Sequence, residues 1–152
     1  VIEAPYLYIS YFLKLNRTQY YEHMTSVRTN GTYENWCKFF LSAAEEAAQD
    51  ALDTIERMHQ LSESVRVRIT DGIRGKAALA KLEKFMSYLE RTPIIEIKRT
   101  ASDLGWSFPT TSKYVKRFTD AGILKEVTGR VRGRAFAYEQ YLAILRKDMQ
   151  PL

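Results

Sequence analysis

Apolar positions recur at helical spacing through the first half of the chain. Over 11–28 a stripe runs Leu13, Arg17, Tyr20, Met24, Val27, in steps of 4, 3, 4 and 3, which predicts one helix face. Ser10 stands before it as an N-cap. Arg17 falls inside the stripe. A buried guanidinium needs a partner, so it is expected to meet a carboxylate or carbonyl oxygens, or to snorkel from the edge. Asn30-Gly31 is a turn signal. Thr32 then caps a second stripe, Trp36, Phe40, Ala43, Ala47, Ala51, Ile55, Met58. This predicts a helix over 33–61, about 43 Å long. Val65, Ile69 and Ile73 keep helical spacing until Asp71-Gly72 and Arg74-Gly75-Lys76 interrupt it. The boundary between two domains, 1–72 and 73–152, is placed there.

The second half alternates short helices with turn chemistry. A helix over 77–91 turns Leu79, Leu82, Phe85, Met86 and Leu89 inward and stops at Thr92-Pro93. Helices over 96–104 and 109–121 flank Gly105-Trp106-Ser107. Glycine suits the left-handed residue that ends one helix, and serine the N-cap of the next. That spacing predicts a helix-turn-helix, with Ala101, Leu104, Val115 and Phe118 filling its core. Strands over 123–127 and 135–138 bracket a loop rich in glycine and arginine, as in a β-hairpin. Tyr141, Leu142, Ile144 and Leu145 close the chain as a helix. The fold class expected is mainly α: a helical part, then a winged helix-turn-helix with a small β-hairpin.

Composition narrows the chemistry. The chain has 152 residues, 45% of them hydrophobic and 27% charged, as in ordinary globular proteins. Cys37 is the lone cysteine, which excludes an internal disulfide and a cysteine-built zinc site. His23 and His59 are too far apart in sequence for a helical histidine pair, so no metal is expected. Apolar runs fall short of the roughly 18 residues of a membrane span. No secretory signal is visible, and a cytoplasmic location is expected.

Charge is uneven. Residues 1–70 carry 7 Lys/Arg and 9 Asp/Glu, whereas residues 71–152 carry 16 and 9. Segment 98–134 alone holds 9 basic residues against 3 acidic ones. Lys113, Lys116 and Arg117 stand at i, i+3 and i+4 on the second helix of the helix-turn-helix. Ser107, Thr110 and Ser112 crowd the start of that helix, and Arg130, Arg132 and Arg134 alternate along the wing. Such a helix enters a major groove while a wing follows the flanking backbone or the minor groove. These nine residues are the candidate DNA contacts. The competing expectation is a protein-interaction or dimerisation module whose basic surface is merely solvated.

Several motifs in order resemble the Fic (Fido) family. Pro5 through Phe12, Asn16-Arg17 with Tyr20-Tyr21, Val27-Arg28, and Glu34-Asn35-Trp36 with Phe39-Phe40-Leu41 look like the closing helices of a Fic domain. The second half, from Ala101 and Leu104-Gly105 through Ala121-Gly122-Ile123-Leu124 to Tyr141-Leu142, resembles the winged helix that ends many members. Two positions depart: Gly31-Thr32-Tyr33 replaces a usual Gly-Asp-Trp, and Thr100 stands where an apolar residue is usual. The family's catalytic loop, His-Pro-Phe-x-(Asp/Glu)-Gly-Asn-Gly-(Arg/Lys), does not occur: His23 precedes Met24 and His59 precedes Gln60. The resemblance implies a C-terminal fragment of a longer parent. That parent would use ATP and magnesium to move AMP onto protein hydroxyls. No catalytic role passes to any residue here, and no cofactor is expected in this chain. Asn16 and Arg17 are implied to be structural supports. Self-association is expected through apolar surface that the missing segments would otherwise cover.

Overall fold

The computed structural model describes residues 9–130 and 133–147. It is mainly α, with helices α1 (Ile9–Leu15), α2 (Arg17–Asn30), α3 (Tyr33–Thr70), α4 (Lys76–Arg91), α5 (Ile97–Leu104), α6 (Phe108–Asp120) and α7 (Glu139–Lys147). Three short strands, β1 (Ile94–Glu96), β2 (Lys125–Glu126) and β3 (Ala135–Ala137), form one antiparallel sheet in the order β1-β3-β2. Two compact units divide between Glu56 and Arg57.

In the first unit the helix expected over 11–28 is broken. Asn16 directs both its backbone N–H and its side-chain Nδ2 to the Phe12 carbonyl, each at 3.1 Å. A side chain that competes for a helix carbonyl is a local breaker, so α1 ends and α2 begins anew. Arg17 is exposed rather than inside a stripe, and its guanidinium lies 5.5 Å from the centre of the Tyr21 ring. The turn after α2 is as expected, with Gly31 left-handed and its N–H on the Val27 carbonyl at 3.0 Å. The Thr32 hydroxyl pairs with that of Ser26 at 2.6 Å. Aromatic rings tie α2 to the start of α3: Tyr20 meets Trp36 at 5.4 Å and His23 meets Phe39 at 5.0 Å. Ala43 and Ala47 are buried, but neither α1 nor α2 contains a buried residue.

The second unit has the fuller core. Phe85 of α4 sits at its centre, edge-on to Phe118 at 4.9 Å and beside Trp106 and Tyr114. Leu82, Leu89, Val115, Ile95 and Phe136 complete it. So do Val65 and Ile69, both fully buried, from the last turns of α3. The expected division at residue 72 therefore shifts to residue 56: the glycines of 72–75 end a helix but not a packing unit. The order helix, strand, helix, helix, strand, strand with β3 central is that of a winged helix-turn-helix. β1 escaped the periodicity because it has only three residues. Its register pairs Ile95 with Phe136, both buried.

Thr100 of α5 is fully buried and its Oγ1 makes no hydrogen bond within geometric limits among the described residues. The Tyr88 hydroxyl, close enough to Thr100 to feel its side chain, donates to Asp103 Oδ2 at 2.6 Å. An unmet buried hydroxyl costs about 1–3 kcal/mol, and valine has the same branched shape. Thr100→Val is therefore expected to raise stability by about 1 kcal/mol, read from the midpoint of a urea melt.

Tyr138 is buried and stacks on Tyr141 at 5.4 Å. Burial first, then the negative charges of Glu90 and Tyr141, push its pKa from 10.0 up to about 12. The folded protein thus holds this proton more tightly than the unfolded chain. The stabilisation is fully present below pH 10 and is lost as pH rises through about 12, roughly 2–3 kcal/mol in all. Thermal melts across that window should show the fall, and Tyr138→Phe should flatten most of it.

Candidate nucleic-acid interface

The turn into α6 is set by backbone chemistry. Gly105 takes the left-handed conformation at the end of α5, and the Trp106 N–H reaches the Ala101 carbonyl at 2.8 Å. Ser107 then caps α6, its Oγ accepting from the Thr110 N–H at 3.4 Å and pairing with the Thr110 hydroxyl at 2.9 Å. The Thr111 hydroxyl donates to the Ser107 carbonyl at 3.1 Å. From this start α6 turns Thr111, Val115 and Phe118 into the core. Its outward stripe is Pro109, Lys113, Lys116 and Asp120, with Ser112 half-buried beside it.

The three expected cations of α6 divide. Lys113 is exposed and has no hydrogen bond or ion pair among the described residues. Lys116 is exposed and lies 2.9 Å from Asp120. An exposed i,i+4 pair contributes only about 0.3–0.5 kcal/mol, so a phosphate can replace Asp120. Arg117 is a correction. Its Nε and one Nη donate to the Ile69 carbonyl at 3.0 and 2.6 Å, and the same Nη donates to the Asp71 carbonyl at 2.6 Å. It closes the C-terminal end of α3, where helix carbonyls lack partners and cations are favoured. Arg68 of α3 reciprocates by donating to the Ala121 carbonyl at the end of α6.

The wing divides as well. The Val127 N–H donates to the Ala135 carbonyl at 3.0 Å, closing the hairpin, and Gly129 and Gly133 are left-handed. Arg130 is exposed and has no partner among the described residues. Arg132 lies outside the described residues. Arg134 sits 3.4 Å from the Glu126 carboxylate and covers the Phe136 ring at 5.2 Å, so its charge is partly answered.

Sequence reasoning passed over Lys98 and Arg99, both exposed in the first turn of α5. Positive charge there opposes the helix dipole, so helix stability does not account for it. That misplacement was a readable signal. Neither residue has a partner among the described residues. Cations without a partner among the described residues thus sit on α5, α6 and the hairpin loop. Among the described residues, no three His, Cys, Asp or Glu side chains gather as a metal site. No described helix is long and apolar enough to cross a membrane. Asn16 borders an open polar cleft of about 380 Å³ in the first unit, with Gln19, His23 and Glu46. A comparison with known protein families finds no family that matches the chain.

Proposed function

We propose that residues 57–147 bind duplex DNA, with α6 in the major groove and the hairpin loop on the flanking backbone. The observation that carries this reading is the set of cations without a partner among the described residues, Lys98, Arg99, Lys113 and Arg130, together with the exchangeable Lys116. Phosphate contacts of this kind position a helix-turn-helix without reading sequence. We also propose, from the motifs quoted above, that the first unit derives from the closing helices of a Fic-like domain. AMP transfer, ATP and magnesium would then belong to a longer cytoplasmic parent.

A titration of random-sequence duplex at several salt concentrations tests the DNA reading. Each phosphate contact contributes about −0.9 to the log–log salt slope, so five contacts give a slope of about −4.5. Affinity weaker than about 10⁻⁴ M at low salt, below ordinary non-specific binding, would end this reading.

A second reading rests on α3. Leu41, Ala44, Ala48, Leu52 and Ile55 follow one another in steps of 3, 4, 4 and 3, and Leu41, Leu52 and Ile55 are 65%, 61% and 50% exposed. An exposed apolar face with small residues at its middle suits close helix packing. This favours an interaction or dimerisation module. Concentration-dependent sedimentation together with no duplex binding would select it.

A further inference from the structure

At the leading end of α6 the Ser107, Thr110 and Thr111 hydroxyls each take part in a hydrogen bond within the turn. The Ser107 and Thr110 hydroxyls pair with each other, and the Thr111 hydroxyl is bonded to the Ser107 carbonyl. Beside that exposed, mutually bonded hydroxyl pair the turn presents apolar surface: Phe108, 50% exposed, and Pro109. The contrast with Trp106, two residues earlier, is direct. Trp106 is packed against the core, 6.2 Å from Phe85 and 5.1 Å from Tyr114. Phe108 is held outward on a first turn fixed by the Ser107 cap and by proline, so little conformational freedom remains to be lost on contact. Lys113, one turn on from Pro109, is exposed on the outward stripe and has no partner among the described residues.

We propose that Phe108 is a specificity-determining residue that reads thymine through its C5-methyl group. The inference rests on the DNA reading above and deepens it. In a helix-turn-helix the N-terminal residues of the second helix meet the base edges. The thymine methyl is the apolar group those edges display in the major groove. An exposed phenyl ring at the start of the second helix matches that group.

The test uses the full chain. Duplexes of about 20 base pairs are selected from a random pool, and each thymine of the enriched site is replaced in turn by deoxyuridine, which removes only the methyl. Replacement at one or two positions should weaken binding about fourfold, the worth of one buried methyl-sized group. Phe108→Ala should abolish that discrimination while keeping the salt slope on random duplex. Phe108→Leu, which restores an apolar side chain, should recover part of it. Uracil tolerated at every position would overturn the proposal. So would discrimination that persists unchanged in Phe108→Ala, or salt-dependent binding with no enriched site. Failure of any duplex to bind more tightly than about 10⁻⁴ M would instead remove the DNA reading itself.

Discussion

A chain beginning at residue 57 is expected to fold, and one beginning at residue 73 to lose most of its stability. The shorter piece matches the boundary that the glycines suggest, but it lacks two fully buried core residues, Val65 and Ile69. Each contributes about 1.5–3 kcal/mol by burial. It also strips Arg117 of its acceptors, the Ile69 and Asp71 carbonyls, which costs about 2 kcal/mol more. The Ser62 hydroxyl bond to Glu90, at 2.9 Å, goes too. The sum, roughly 5–8 kcal/mol, matches the whole stability of a small domain. Urea melts followed by circular dichroism should show a cooperative transition for 57–152 and a weak or absent one for 73–152. Equal midpoints would place the boundary back at the glycines.

Arg117→Ala and Lys113→Ala are expected to act on different properties, although the residues stand four apart on one helix. Arg117→Ala removes three hydrogen bonds from a half-buried guanidinium to carbonyl oxygens. Bonds from charged donors contribute about 1.5–3 kcal/mol, so a loss of about 2–3 kcal/mol is expected, with the salt slope of DNA binding unchanged. Lys113→Ala removes an exposed charge that has no partner among the described residues. Its melt should stay within about 0.5 kcal/mol of the parent, while the log–log salt slope falls by about 0.9. Melts and salt titrations on the same two variants separate the outcomes. A reduced slope in Arg117→Ala would return that residue to the DNA-contacting face.

The helix-turn-helix was legible because its signals are local. Gly105, Ser107 and Pro109 each do their work within four residues, and the structure places α5 and α6 within a residue of the ends read from them. The hairpin was legible for the same reason. Asn16 bonds the Phe12 carbonyl and breaks the helix there, whereas apolar spacing alone ran straight across it. β1 is defined by its partner β3, more than 35 residues away, and three residues carry no period of their own. Arg117 shows the sharper limit. On the helix it is a cation one position from Lys116; its role depends on carbonyls 48 and 46 residues distant. Net charge reported how many cations the segment has. Which of them remain free was decided by tertiary contacts that composition does not encode.

The crossed arginines carry a consequence for how this sequence can drift. Arg68 and Arg117 stand where the carbonyl ends of α3 and α6 approach one another. Both ends bear partial negative charge, so without a counter-charge they would repel. Each guanidinium grips main-chain oxygens, which are present whatever side chain a position carries. The acceptor positions, Ile69, Asp71 and Ala121, therefore owe nothing to their identity in this respect, whereas Arg117 cannot be exchanged for lysine without losing the fork that spans the Ile69 and Asp71 carbonyls. Diverged copies of this chain should keep an arginine near the close of each of these helices even where the carbonyl-bearing residues have changed beyond recognition.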